Sequence, residues 1–163
     1  MNFGHGCDEV CMARIMEMIL MTVVACCFVW ACITDRRACY VYRCVWWICW
    51  SGGVGLLLVR TLCFLQNVRL IPLLLFAILQ EVWFAGMYGR ADCHAFLACA
   101  VVECAYGMGM KEYLCQMLLA FGILAVVQGV RGNINSEGNL KKPVPFLPYI
   151  TGSFVMVMVF FGC

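Results

Sequence analysis

Runs of about twenty apolar residues, broken only by short polar loops, follow one another from Ile15 to Gly162. A water-soluble domain carries roughly 25% charged residues, whereas this chain of 163 residues is 65% hydrophobic and 12% charged. A globular core cannot hide so much apolar surface, so the expected medium is lipid. Within lipid every backbone N–H and C=O needs an internal partner, which leaves helices and closed barrels. Barrel strands alternate polar with apolar residues, and these runs do not. The expected fold is therefore all-α: a polytopic membrane helical bundle of about six transmembrane helices, forming a single membrane-embedded domain over residues 1–163.

A spanning helix needs about 20 mostly apolar residues. The six runs are Ile15 to Thr34, Val45 to Leu65, Leu70 to Tyr88, Cys93 to Met110, Tyr113 to Val130 and Phe146 to Gly162. Met1 to Ala13 contains Asp8 and Glu9 rather than a basic stretch, so the first run reads as a retained span and not as a cleaved signal. Lys and Arg in the loops set orientation. Arg36, Arg37, Arg43, Arg90, Arg131, Lys141 and Lys142 follow the odd-numbered spans, against Arg14, Arg60, Arg69 and Lys111 on the other side. The first set is expected in the cytoplasm of a plasma-membrane protein. The last loop, Arg131 to Pro145, is rich in Gly, Asn and Lys and reads as solvated chain.

The net charge of +2 and the lack of a basic run exclude nucleic acid as a partner. The fourteen cysteines include no C-x-x-C pair, which removes a zinc ribbon or a thioredoxin-like site. Most sit within apolar runs and read as small hydrophobes. No metal site and no cofactor is expected.

Chemistry points to two aspartates. Asp35 closes the first span and Asp92 opens the fourth, so both belong to the cytoplasmic face. A carboxylate beside hydrocarbon is costly and marks a functional site. Each has a plainer reading: Asp35 beside Arg36 and Arg37 is a solvated charge at a helix end, and Asp92 is an N-cap. Together they can do more. Peptide hydrolysis by two carboxylates needs one ionised, to take a proton from water, and one protonated, to donate to the substrate. Proximity itself creates that asymmetry, because like charges in contact cannot both ionise.

At this point the chain resembles the type IV prepilin peptidases, membrane aspartyl proteases with a G-x-G-D motif. Ile33-Thr34-Asp35-Arg36-Arg37 resembles their first aspartate and its basic flank. Gly89-Arg90-Ala91-Asp92 resembles the G-x-G-D motif, and Pro145-Phe146-Leu147-Pro148 their Pro-Phe-x-Pro segment before the last helix. The resemblance runs from about Ile15 to Phe160. It implies Asp35 and Asp92 as the catalytic pair, with Gly89, Ala91, Pro145, Phe146 and Pro148 shaping the site. It implies a prepilin-like membrane protein as substrate and the lipid bilayer as surroundings. The larger members' C-x-x-C-bearing methylating domain has no counterpart in these residues, so peptidase activity alone is implied. The chain departs from the family at Ala91, which replaces the second glycine, at His94, where a lysine is common, and at Val41-Tyr42-Arg43, where Ile-Pro-Asn is common. These departures motivate a second expectation, a catalytically impaired relative acting as a membrane assembly factor. A third is a small transporter using Glu81 and Glu103.

Among the remaining polar residues, Glu103 is expected as interhelical glue and Glu81 as a wall of the aspartate site. Gly52-Gly53-x-Gly55 and Gly107-x-Gly109 are expected to allow close helix approach. Trp46, Trp47 and Trp50 read as an interfacial aromatic belt.

Overall fold

The computed structural model describes residues 5–38, 40–64, 69–134 and 145–162. Among them every regular element is helical: α1 (His5–Ala38), α2 (Arg43–Cys63), α3 (Leu70–Val82), a 3-10 turn (Phe84–Gly86), α4 (Arg90–Ala105), α5 (Met110–Ile134) and α6 (Leu147–Phe161). Most of the loop expected between Arg131 and Pro145 lies outside the described residues.

Three helical stretches are long and apolar enough to cross a membrane, Val10–Arg37, Arg43–Cys63 and Met110–Val130. The other three helices are shorter than the expected spans. The 34 residues of α1 reach about 51 Å at 1.5 Å per residue, well beyond the ~30 Å hydrocarbon core. The 16 residues of α4 reach only about 24 Å. A short helix is tolerable there because α4 packs against α2, α3, α5 and α6. Nearly every residue from Cys93 to Ala105 is buried, as a helix apolar on all sides must be. Its alanines, cysteines and valines keep it thin enough for four neighbours. The expected third span divides at Val82, where α3 gives way to the 3-10 turn.

Glycines seat α2 against its neighbours. A Cβ at Gly52 would stand 3.1 Å from Val24 Cγ2 of α1, and one at Gly53 would stand 3.1 Å from Val101 Cγ1 of α4. Gly107 plays a different part from the one expected. It lies in the turn after α4 with φ of 79°, a conformation that favours glycine. Its N–H bonds to the Cys104 carbonyl at 2.9 Å.

The α1–α6 contact follows helical periodicity. Phe28, Cys32 and Asp35 share one face of α1, and Leu147, Thr151 and Phe154 share one face of α6. Phe28 stacks on Phe154 with centroids 5.9 Å apart. Cys32 Sγ lies 3.2 Å from Thr151 Oγ1. Asp35 meets Leu147 at the end of this row.

Candidate functional site

Antiparallel connections bring the C-terminal end of α1 and the N-terminal ends of α2, α4 and α6 to one end of the bundle. Asp35 stands in the last turn of α1, half-buried. The helix runs on to Ala38, so the aspartate is held on a rigid element rather than in a loop.

The Pro-Phe-x-Pro segment fixes its partner. Phe146 is buried and precedes α6. Its ring lies 5.1 Å from Phe121, 5.9 Å from Phe96 and 6.1 Å from Tyr88. Pro148 occupies the first turn of α6, where a missing N–H costs nothing. Pro145 leads into the same turn, half-buried. Thus anchored, α6 presents one of its unpaired first-turn donors, and the Leu147 N–H donates to Asp35 Oδ2 at 3.2 Å. The Leu147 N–H and the positive end of the helix dipole both oppose the burial that raises the Asp35 carboxyl.

Asp92 is not the N-cap that its position suggests. Gly89 is the cap, extended at φ −60° and ψ 152°, and Asp92 is the third helical residue. Its N–H bonds to the Gly89 carbonyl at 3.0 Å. Burial first and the Asp35 charge second push the Asp92 carboxyl up to about 6, against a hydrogen bond from the Gly89 backbone that lowers it. Asp35 and Asp92 thus lie at the same end of the bundle, and the Asp35 charge is the second cause that raises Asp92.

The departures look mild in this geometry. Gly89 has a backbone that any residue adopts, and a Cβ there would meet only Asp92 Oδ2 at 3.6 Å. Ala91 is helical and half-buried, so alanine in place of glycine imposes no backbone strain. His94 packs against the edge of Trp50, ring centroids 6.0 Å apart.

Other expectations are corrected. Glu103 is fully buried, yet neither of its oxygens has a hydrogen-bond partner among the described residues, so it is not interhelical glue. Glu81 is exposed. Trp46 is buried at 6% exposure while Trp47 stands at 76%, so the aromatic belt has an inner and an outer member.

Sequence reasoning missed a second polar cluster near the other end of α2. Arg60 forms an ion pair with Glu17 of α1. Tyr106 donates to Glu17 Oε1 at 3.0 Å, and the Arg60 guanidinium lies 3.9 Å from the centre of the Tyr106 ring. The signal was available: one acid and one base at matching depths in two consecutive spans of a hairpin.

No protein family, curated protein or solved structure matches this chain.

Proposed function

We propose that this protein is a membrane aspartic endopeptidase that uses Asp35 and Asp92 as a dyad. One observation carries the reading: the Asp35 charge raises the pKa of a half-buried Asp92. The roles divide by environment. Burial raises the Asp35 carboxyl as well, but the Leu147 N–H opposes it and a positive helix end faces it, so Asp35 takes the base role. Asp92, pushed up to about 6, keeps roughly a tenth of its molecules protonated at pH 7, against about a thousandth for an ordinary aspartate, so it takes the acid role. Asp35 takes a proton from a water molecule as its oxygen bonds to the scissile carbonyl carbon. Asp92 gives its proton to the carbonyl oxygen. Collapse of the tetrahedral species breaks the C–N bond: the proton held on Asp35 passes to the leaving amine, and one hydroxyl of the gem-diol returns its proton to Asp92 as the new carboxyl C=O forms. General acid and base assistance of this kind contributes about 10²–10⁴-fold each.

In this reading the six helices form a multi-pass bundle in the plasma membrane, with the aspartates at the cytoplasmic face. The bias of Lys and Arg toward that side supports it. The substrate is a prepilin-like protein whose apolar helix lies in the bilayer beside the site. The test is processing of a co-expressed prepilin-like substrate by wild type, Asp35→Asn and Asp92→Asn at equal membrane levels. Both variants are expected to lose processing, and retention in either rejects the dyad. An impaired relative acting in assembly is the second reading, motivated by Val41-Tyr42-Arg43 where the family it resembles commonly has Ile-Pro-Asn. It predicts no processing even by wild type.

A further inference from the structure

Beside the aspartates lies a cavity of about 610 Å³ between the start of α2 and the start of α4. That volume falls within the ~300–1,000 Å³ of small-ligand sites. Arg43, Arg90, His94, Trp46, Trp47 and Trp50 line it, and neither Asp35 nor Asp92 does.

Its electrostatics are one-sided. The charged side chains on its wall are both arginines, and no carboxylate lines it. Neither arginine forms an ion pair among the described residues, where the sole pair is Arg60 with Glu17. Arg43 and Arg90 are the first residues of α2 and α4, and neither helix has a side-chain cap. The start of α2, with no acid in its first turn, therefore adds its positive helix end to the two guanidinium groups. The rest of the wall is aromatic apart from Val41 and Ala91, and Trp47, exposed at its rim, continues with Ile48 into an apolar surface along α2.

We propose that this cavity binds the phosphate of an anionic phospholipid headgroup. The arginines take the phosphate oxygens in forked hydrogen bonds. The tryptophans hold the glycerol region at the depth where such rings settle, and the acyl chains follow Trp47 and Ile48. A free inorganic anion satisfies the arginines but leaves the aromatic wall unused, which is why the lipid is the occupant. The inference stands on the arginines and the cavity and does not require that the aspartates cleave anything.

The test uses the purified full chain in a zwitterionic detergent. Three of the five tryptophans line the cavity, so intrinsic fluorescence reports binding. Dihexanoyl phosphatidylglycerol, dihexanoyl phosphatidylcholine and inorganic phosphate are titrated separately. Phosphatidylglycerol is expected to bind at least about tenfold more tightly than either of the others, because the choline cation of phosphatidylcholine is repelled by the two guanidinium groups and free phosphate makes no contact with the apolar wall. Arg43→Gln and Arg90→Gln are each expected to weaken it about tenfold. Both arginines are exposed, so the core is untouched. Arg90→Lys, which keeps a point charge, is expected to bind between wild type and Arg90→Gln. Equal affinity for the two lipids overturns the proposal, as does binding unchanged in both Gln variants. Inorganic phosphate binding as tightly as phosphatidylglycerol also overturns it, by showing a free-anion site.

Discussion

Replacing Asp92 by asparagine is predicted to make the protein more stable at neutral pH, although it removes a proposed catalytic group. The Asp92 carboxyl rises from 3.8 to about 6 on folding. At about 1.4 kcal/mol per pH unit, that is about 3 kcal/mol spent to ionise it in place. Water reaches this half-buried site, and screening trims the figure to about 1–2 kcal/mol. The sign follows from proton linkage. Between pH 3.8 and about 6 the folded state holds a proton that the unfolded state has released, so stability falls as pH rises through that window. Above it the full cost is present; below it both states are protonated and the cost vanishes. Asparagine never ionises and still accepts the Gly89 N–H. Unfolding of wild type and Asp92→Asn in the same detergent from pH 3.5 to 8 checks this. The expected difference is near zero at the acid end and grows to about 1–2 kcal/mol in favour of the variant above pH 6. A variant less stable than wild type at pH 7.5, or a difference that does not change with pH, refutes the reasoning.

Gly53→Ala forces a methyl to 3.1 Å from the branched Val101 side chain; overpacking of about 1–3 kcal/mol outweighs a helix gain of about 1 kcal/mol, so the melting temperature falls. Gly122→Ala meets nothing within 4 Å and raises it, by about 0.5–1 kcal/mol of stability. Glu17→Ala removes the ion pair to Arg60 and the acceptor for Tyr106, a loss of about 2 kcal/mol in denaturant titration. Glu103→Met replaces a buried carboxyl without a hydrogen-bond partner among the described residues; it is expected to stabilise by about 1–3 kcal/mol in the same titration. An uptake activity lost in Glu103→Gln would instead revive the transporter reading.

Much of the end of the bundle that holds the aspartates was legible because its signals are local. Gly89-Arg90-Ala91-Asp92 announces a helix start by its own residues, and Ile33 to Arg37 mark where an apolar run meets water. The helix nonetheless continues past Asp35 to Ala38, because charged residues prolong a helix as readily as they end a hydrophobic run. Hydropathy counts apolar residues and not their neighbours, so the run from Cys93 to Met110 read as a span like the other five, with nothing to show that α4 is surrounded by other helices. The bond from Leu147 to Asp35 joins residues 112 apart in sequence. No local pattern encodes it, although the Pro-Phe-x-Pro segment hinted that something at that helix start needed rigid placement. Arg60 was counted as a loop charge because each span was read alone; reading α1 and α2 as a hairpin sets Glu17 opposite it.

The pairing of the two aspartates is tested most directly by titrating Asp92 itself. With selectively ¹³C-labelled aspartate, its carboxyl carbon is followed by NMR against pH in wild type and in Asp35→Asn. The account predicts a midpoint near pH 6 in wild type and a lower one in the variant. The variant's midpoint should stay above 3.8, since burial, the larger cause, is unchanged. Identical midpoints in the two proteins would mean that the carboxylates do not sense each other, and would contradict the dyad.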